Sequence, residues 1–300
     1  MKEGVRARFL FHGYIGLLII AVAEVLLFAG NRVVGVWFTP IVWTGYVLFV
    51  DALCYRLKGR SLMVTDRLEM LVVLVVSIAC WWLCEFYNAP RFWRSDLELW
   101  WHYHSLVPNP FLRRVGYDWA FATIFPALFE TAEVFGAGVF ARLKTFGAMK
   151  LSRASLILLI VIGAITAILP LIIISPWLAP LLWLSFILLL DPLNHLRGWP
   201  SITGDAMRGS YRRLACLLAS GFVCGILWEF WNYWAISKWT YTVPYLGDVK
   251  IFEMPVLGYL GFPPFAVECW AMYIFCRSLL NSSSAGARPQ DDGSIIATAK

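Results

Sequence analysis

Residues 228–232 read WEFWN, and residues 84–88, 144 positions earlier, read CEFYN, so that Glu229 lies over Glu85 and Asn232 over Asn88. Outward from this pair the register continues with small slips. An offset of 140 pairs Pro40 with Pro180, Trp43 with Trp183, Asp51 with Asp191, Leu53 with Leu193 and Ser61 with Ser201. An offset of 138 pairs Trp101 with Trp239, Tyr103 with Tyr241, Pro126 with Pro264 and Glu130 with Glu268. The matched residues are mostly Trp, Pro, Asp, Glu and Asn, not the Leu and Val that any two apolar helices share, and their order never changes. The chain reads as one unit written twice.

That unit belongs in lipid. Of 300 residues 60% are hydrophobic and 15% charged, and a mean hydropathy of +0.69 describes a surface that water does not accommodate. A hydrocarbon slab about 30 Å thick asks for helices of roughly 17 to 25 apolar residues. Eight runs qualify, at 9–29, 36–55, 68–88, 118–141, 154–174, 177–193, 212–232 and 256–278. The expectation is an all-α, polytopic membrane protein of about eight transmembrane helices in two tandem four-helix repeats. An even number of helices per repeat makes the two parallel, related by an axis along the membrane normal. The first repeat spans 1–145, the second 146–280, and the polar residues 281–300 are expected to form a disordered cytoplasmic tail.

The net charge of +6 is unevenly placed. With the N-terminus inside, eighteen Lys and Arg fall on that side and seven on the other, which puts both termini in the cytoplasm and fits a bacterial inner membrane. In such a chain the positive charge records orientation, and no nucleic-acid partner is expected. The seven cysteines lie in apolar stretches and read as reduced packing residues. Cys80 and Cys84 share a helical face, but no second pair at ligand spacing accompanies them. His102 and His104 resemble half of a metal site, yet their copies are Thr240 and Thr242. No metal and no cofactor is expected.

The chemistry-bearing residues are the acids. Glu85 and Glu229 approach the outer ends of their helices, while Glu130 and Glu268 lie nearer mid-membrane, and no Lys or Arg lies inside a span to neutralise them. An ionised acid in hydrocarbon costs about 2.5 kcal/mol or more, so each must be protonated, hydrogen-bonded, or turned toward a wet cavity or a cation. Glu85 with Asn88, and Glu229 with Asn232, are three apart on one helical face, a pairing that suits a buried proton site in either protonation state. The competing reading is a hydrogen bond that glues helices together. Pro126 and Pro264 each precede their Glu by four residues, which suggests broken helices restarting at the prolines, with the acid in the first turn.

Between the third and fourth spans of each repeat runs an aromatic segment with a W-x-Y core, Trp101 and Tyr103 in one, Trp239 and Tyr241 in the other. An outer-leaflet aromatic belt is the expectation, with a lid as the alternative. Asp51 and Asp191 close the second and sixth spans before basic loops, where they pair with arginine or cap the turn. A cavity between the halves, lined by equivalent residues of both, is the expected site.

The order of an acid on a helix, W-x-Y in an outer loop, then proline followed by glutamate resembles the membrane-embedded lycopene cyclase domains of carotenoid synthesis, which also occur as tandem small helical units. The resemblance covers Glu229 to Glu268 and its copy Glu85 to Glu130. It departs at the proline, where that family carries adjacent glutamates, whereas here Pro264 and Glu268 are separated and Glu253 precedes Pro255. It implies a protonated acid, Glu268 or Glu130, that protonates an alkene, with Glu229 and Asn232 as the proton-accepting partner. Trp228, Trp231, Trp239 and Tyr241 would be walls that stabilise a carbocation. Three functions follow: an enzyme acting on a lipid or isoprenoid by acid/base chemistry, a proton- or cation-coupled carrier, or a scaffold whose acids pin helices. The partner expected is a membrane lipid or a hydrophobic small molecule.

Overall fold

A computed structural model describes residues 7–89, 99–282 and 294–296. Residues 91–98 of the first aromatic segment, and 283–293 and 297–300 of the tail, lie outside the described residues. In chain order the helices are α1 (Phe11–Phe28), the short α2 (Arg32–Val36), α3 (Phe38–Lys58), α4 (Arg67–Asn88), α5 (Pro110–Ala122), α6 (Ile124–Ala137) and α7 (Arg153–Ile172). They continue as α8 (Ala179–Leu196), the short α9 (Ile202–Met207), α10 (Arg212–Trp234) and α11 (Phe262–Ser282).

Seven segments are long and apolar enough to cross a bilayer: α1, α3, α4, α5 with α6, α7, α8 with its preceding 3-10 turn, and α10. The chain is a helical integral membrane protein. The eighth expected span falls on α11, which is not among the seven and starts six residues late, because Val256–Gly261 forms 3-10 turns. α11 is as long as the others yet less apolar, as a helix walled by protein rather than lipid can be. Every residue from Phe265 to Ile274 is buried.

α1 packs on the outer side of α3, and α7 on that of α8; α4, α6, α8 and α10 surround α11. Leu18 and Val25 on α1, and Ile165 and Ile172 on α7, stand fully outward, which only acyl chains tolerate over so wide a face. Lipid gives helices no hydrophobic reason to associate, so close backbone approach and interhelical hydrogen bonds must hold them. Gly16 and Gly45 meet where α1 crosses α3, and Gly221 meets the Phe262 carbonyl where α10 crosses α11; the facing backbone occupies the space a Cβ would need.

The proline-directed break is present, displaced by half a turn. The helix interrupts at Thr123, Pro126 lies in the first turn of α6, and Pro263 and Pro264 lie in the first turn of α11. Glu130 and Glu268 therefore fall in second turns, not first. Ser77 on α4 mends the break: its hydroxyl donates to the Phe121 carbonyl (2.5 Å) and accepts from the Phe125 N–H (3.1 Å).

Asp51 and Asp191 cap turns. Asp51 accepts from Ser61 Oγ (3.0 Å) and the Met63 N–H (2.8 Å), and pairs with His12 rather than with an arginine. Asp191 accepts from the N–H groups of Ile202 and Thr203, at 2.7 and 2.8 Å, and from the Thr203 hydroxyl.

The fold is not purely helical. The W-x-Y segments are strands, β1 (Trp101–His104) and β2 (Lys238–Tyr241), paired antiparallel with Trp101 opposite Tyr241 and Tyr103 opposite Trp239. A second ribbon joins β3 (Lys250–Ile251) to β4 (Met254–Pro255). The last turn of α4 fixes β1: Asn88 Nδ2 donates to the Trp101 carbonyl (2.8 Å), and its Oδ1 accepts from the N–H groups of Trp100 and Trp101. Asn232 at the end of α10 holds β2 in the same way, donating to the Trp239 carbonyl and accepting from its N–H.

The tail departs from its expected disorder at residues 294–296, all buried against α6, α10 and α11. Glu133 accepts from the Ser294 hydroxyl and from the N–H groups of Ile295 and Ile296, and pairs with Lys58. Trp270 donates to the Ile295 carbonyl (2.6 Å) and Arg213 to that of Ser294 (3.2 Å).

If the amide clamp holds the ribbon to the helices, Asn88→Ala lowers stability by about 1–3 kcal/mol, the cost of stranding buried partners. Thermal unfolding of the purified protein reads this, and a melting temperature equal to the wild type's shows the clamp to be idle.

Candidate functional site

The ribbon closes one end of a cavity of about 520 Å³ between the helices, within the usual range for small-molecule sites. Eight of the sixteen tryptophans line it. Trp101, Tyr103, Trp239 and Tyr241 turn into this space, so the expected aromatic belt is corrected: these rings form an inner wall. The reason is polar. A phenol or indole N–H shut away from water needs an acceptor, and the two helix-end glutamates provide it.

Glu85 is saturated. Its Oε1 accepts from Trp81 Nε1 (2.9 Å), Trp101 Nε1 (3.2 Å) and Tyr103 Oη (2.6 Å). Glu229, fully buried, accepts on Oε1 from Tyr241 Oη (2.8 Å), which itself accepts from Trp239 Nε1 (2.7 Å). Its Oε2 has no hydrogen-bond partner. Two donors differ: Trp81, one turn before Glu85, corresponds to Gly225, one turn before Glu229, and Trp239 Nε1 serves Tyr241 where its counterpart Trp101 serves Glu85. Phe262 packs where a side chain at 225 would project. Burial, then the neighbouring Glu229 carboxyl, pushes the Tyr241 phenol well above its ordinary range, and burial with Glu85 does the same to Tyr103. Both phenols stay protonated and donate.

Of the expected catalytic residues, only Glu229 lines the cavity. Glu85 lies behind Trp81, Trp101 and Tyr103. Asn88 and Asn232 spend their amides on strand backbone, so the expected acid–amide proton pair is replaced by a clamp. Glu130 is remote, with one oxygen accepting from the Leu62 N–H (2.7 Å) and the other unpartnered. Glu268 is buried one turn beyond Phe265 of the cavity wall, and neither of its oxygens has a hydrogen-bond partner. The acids do not converge on a shared polar chamber.

Of the expected binding residues, Trp101, Tyr103, Trp228, Trp239 and Tyr241 line the cavity, and Trp231 does not. Trp231 points the other way, packs at 5.1 Å on Trp43, and donates to Glu24 on α1 (3.0 Å). Unanticipated wall residues include Thr39, Trp81, Trp43 and Trp183. Trp43 stands 4.9 Å from Trp228, and Trp183 stacks on Trp101 at 6.2 Å and 24°. The signal that would have found the last two was already available, since they are each other's copies in the repeat.

His102 and His104 bond Thr242 and Thr240 across the ribbon at 2.7 and 2.8 Å. Among the described residues no three His, Cys, Asp or Glu gather as metal ligands. All seven cysteines are free thiols, six of them buried.

No family model, curated protein or solved structure matches the chain.

The two glutamates are expected to behave unequally. Glu85→Leu strands three donors and Glu229→Leu one, so the first is less stable than the second by about 1–3 kcal/mol. Equal melting temperatures for the two variants contradict the hydrogen-bond assignment.

Proposed function

We propose that the protein is a membrane enzyme acting on a lipid or isoprenoid by acid/base chemistry, with Glu229 as the reacting carboxyl. The observation that carries this reading is the free Oε2 of Glu229 in the wall of a mostly aromatic and aliphatic cavity. A buried acid with one oxygen held by Tyr241 and the other open is positioned to exchange a proton with a bound molecule. The Tyr241 bond stabilises the carboxylate left after donation, and the indole faces offer their negative quadrupoles to a developing cation. The resemblance to lycopene cyclase domains makes isoprenoids the first class to try, with Glu229 in the acid's place instead of Glu130 or Glu268.

The same proposal includes the architecture: two tandem parallel four-helix repeats of 1–145 and 146–280. Support comes from the matching work of Asn88 and Asn232 and from the antiparallel meeting of the two W-x-Y strands, as a two-fold axis through the ribbon would require. The excess of Lys and Arg in the loops at the opposite end supports cytoplasmic termini in a bacterial inner membrane.

The carrier reading draws on Glu268, whose unpartnered carboxyl lies mid-helix and off the cavity. Flux in proteoliposomes driven by a pH gradient and stopped by Glu268→Gln would favour it.

For the enzyme, membranes of cells making wild-type protein or Glu229→Gln at equal abundance are extracted and compared by mass spectrometry. The expected outcome is a product seen only with the wild type and turnover lowered about 10²- to 10⁴-fold in the variant. Identical lipid profiles remove Glu229 from the chemistry.

A further inference from the structure

Glu229 is not the only wall residue with an open polar atom. Thr39 Oγ1 and Trp43 Nε1 are also buried without hydrogen-bond partners, and both residues line the same cavity. Trp43 is 1% exposed and Glu229 0%, so bulk water does not serve them. Thr39 and Trp43 lie four apart on one face of α3, and the Trp43 ring abuts that of Trp228, the residue before Glu229. Other buried atoms also lack partners, among them Glu130 Oε2, Asn194 Oδ1 and both Glu268 oxygens, but none of those residues lines this cavity; three orphans in one cavity lining point to a ligand group that completes them.

Their chemistry restricts what that group is. An indole N–H only donates, so it asks for an oxygen acceptor; a carboxyl oxygen and a hydroxyl take either part. A hydrocarbon satisfies none of the three. An anionic head would meet the Glu229 carboxyl, and the one cation among the described wall residues, Arg113, turns its guanidinium to the Val107 and Pro108 carbonyls. A hydroxyl both accepts and donates.

We infer that the cavity selects a neutral lipid alcohol, its apolar body against the tryptophans and its hydroxyl recognised by Thr39, Trp43 and Glu229. This deepens the proposed function by naming the substrate class, and it rests on the cavity being a lipid site, not on turnover.

The test is equilibrium binding of radiolabelled geranylgeraniol to the purified full-length protein in detergent, with competition by the same C20 chain lacking the hydroxyl. The alcohol is expected to bind at least about tenfold more tightly than the hydrocarbon, a difference of one good hydrogen bond. Trp43→Phe and Thr39→Val should each weaken the alcohol several-fold and leave the hydrocarbon unchanged. Thr39→Val preserves shape and serves if Trp43→Phe lowers the melting temperature. Equal affinity for the two probes in the wild type overturns the inference, leaving ordered water as the completing group and the enzyme proposal standing. Alcohol affinity untouched in both variants overturns it as well. Failure of both probes to bind removes the lipid site itself, and the inference with it.

Discussion

Inside a bilayer there is no water to complete a hydrogen bond, and most of the structure answers to that one constraint. Where the fourth span breaks before Pro126, Ser77 reaches from α4 to serve both the carbonyl and the N–H that the break frees. Where α4 and α10 end, their last asparagines pair with strand backbone. Where Glu133 is buried at the other end, Lys58 and the chain's own tail surround it. The matching is not complete: buried atoms of Glu130, Asn194 and Glu268 lack partners too, but three of the unmatched atoms belong to a single cavity.

The two halves are alike in scaffold and unlike in chemistry. Each presents an acid near a helix end, an asparagine three residues on, and a strand whose aromatic residues supply donors. In one half a tryptophan a turn earlier adds another donor, and the acid is locked. In the other that place is Gly225, filled by Phe262, the strand's tryptophan serves the tyrosine instead of the acid, and one oxygen of the acid has no partner. On the proposed duplication, one acid stabilises the ribbon while its counterpart faces the cavity.

The membrane helices were legible in sequence because apolar length is a property each segment carries alone. The strands were missed because four residues between long helices carry little weight. Their alternation was nonetheless visible, with Trp and Tyr on one face and His or Thr on the other. Trp231 was misplaced by proximity in sequence; two positions from Glu229 on a helix turns a side chain about 200° away. The Glu130 and Glu268 readings failed because a matched position in a repeat fixes depth, not which cavity a side chain reaches. The eighth span lacked the expected apolarity because its neighbours are protein.

The chain's closing residues carry a practical lesson. Ile295 and Ile296, apolar within a polar stretch, are tucked under Trp270 and against Glu133, so residues 294–296 are anchored masonry and not loose thread. A purification handle or reporter fused there pulls directly on α6 and α11, and clipping the last seven residues exposes Glu133 and Lys58 to whatever the adjoining compartment supplies.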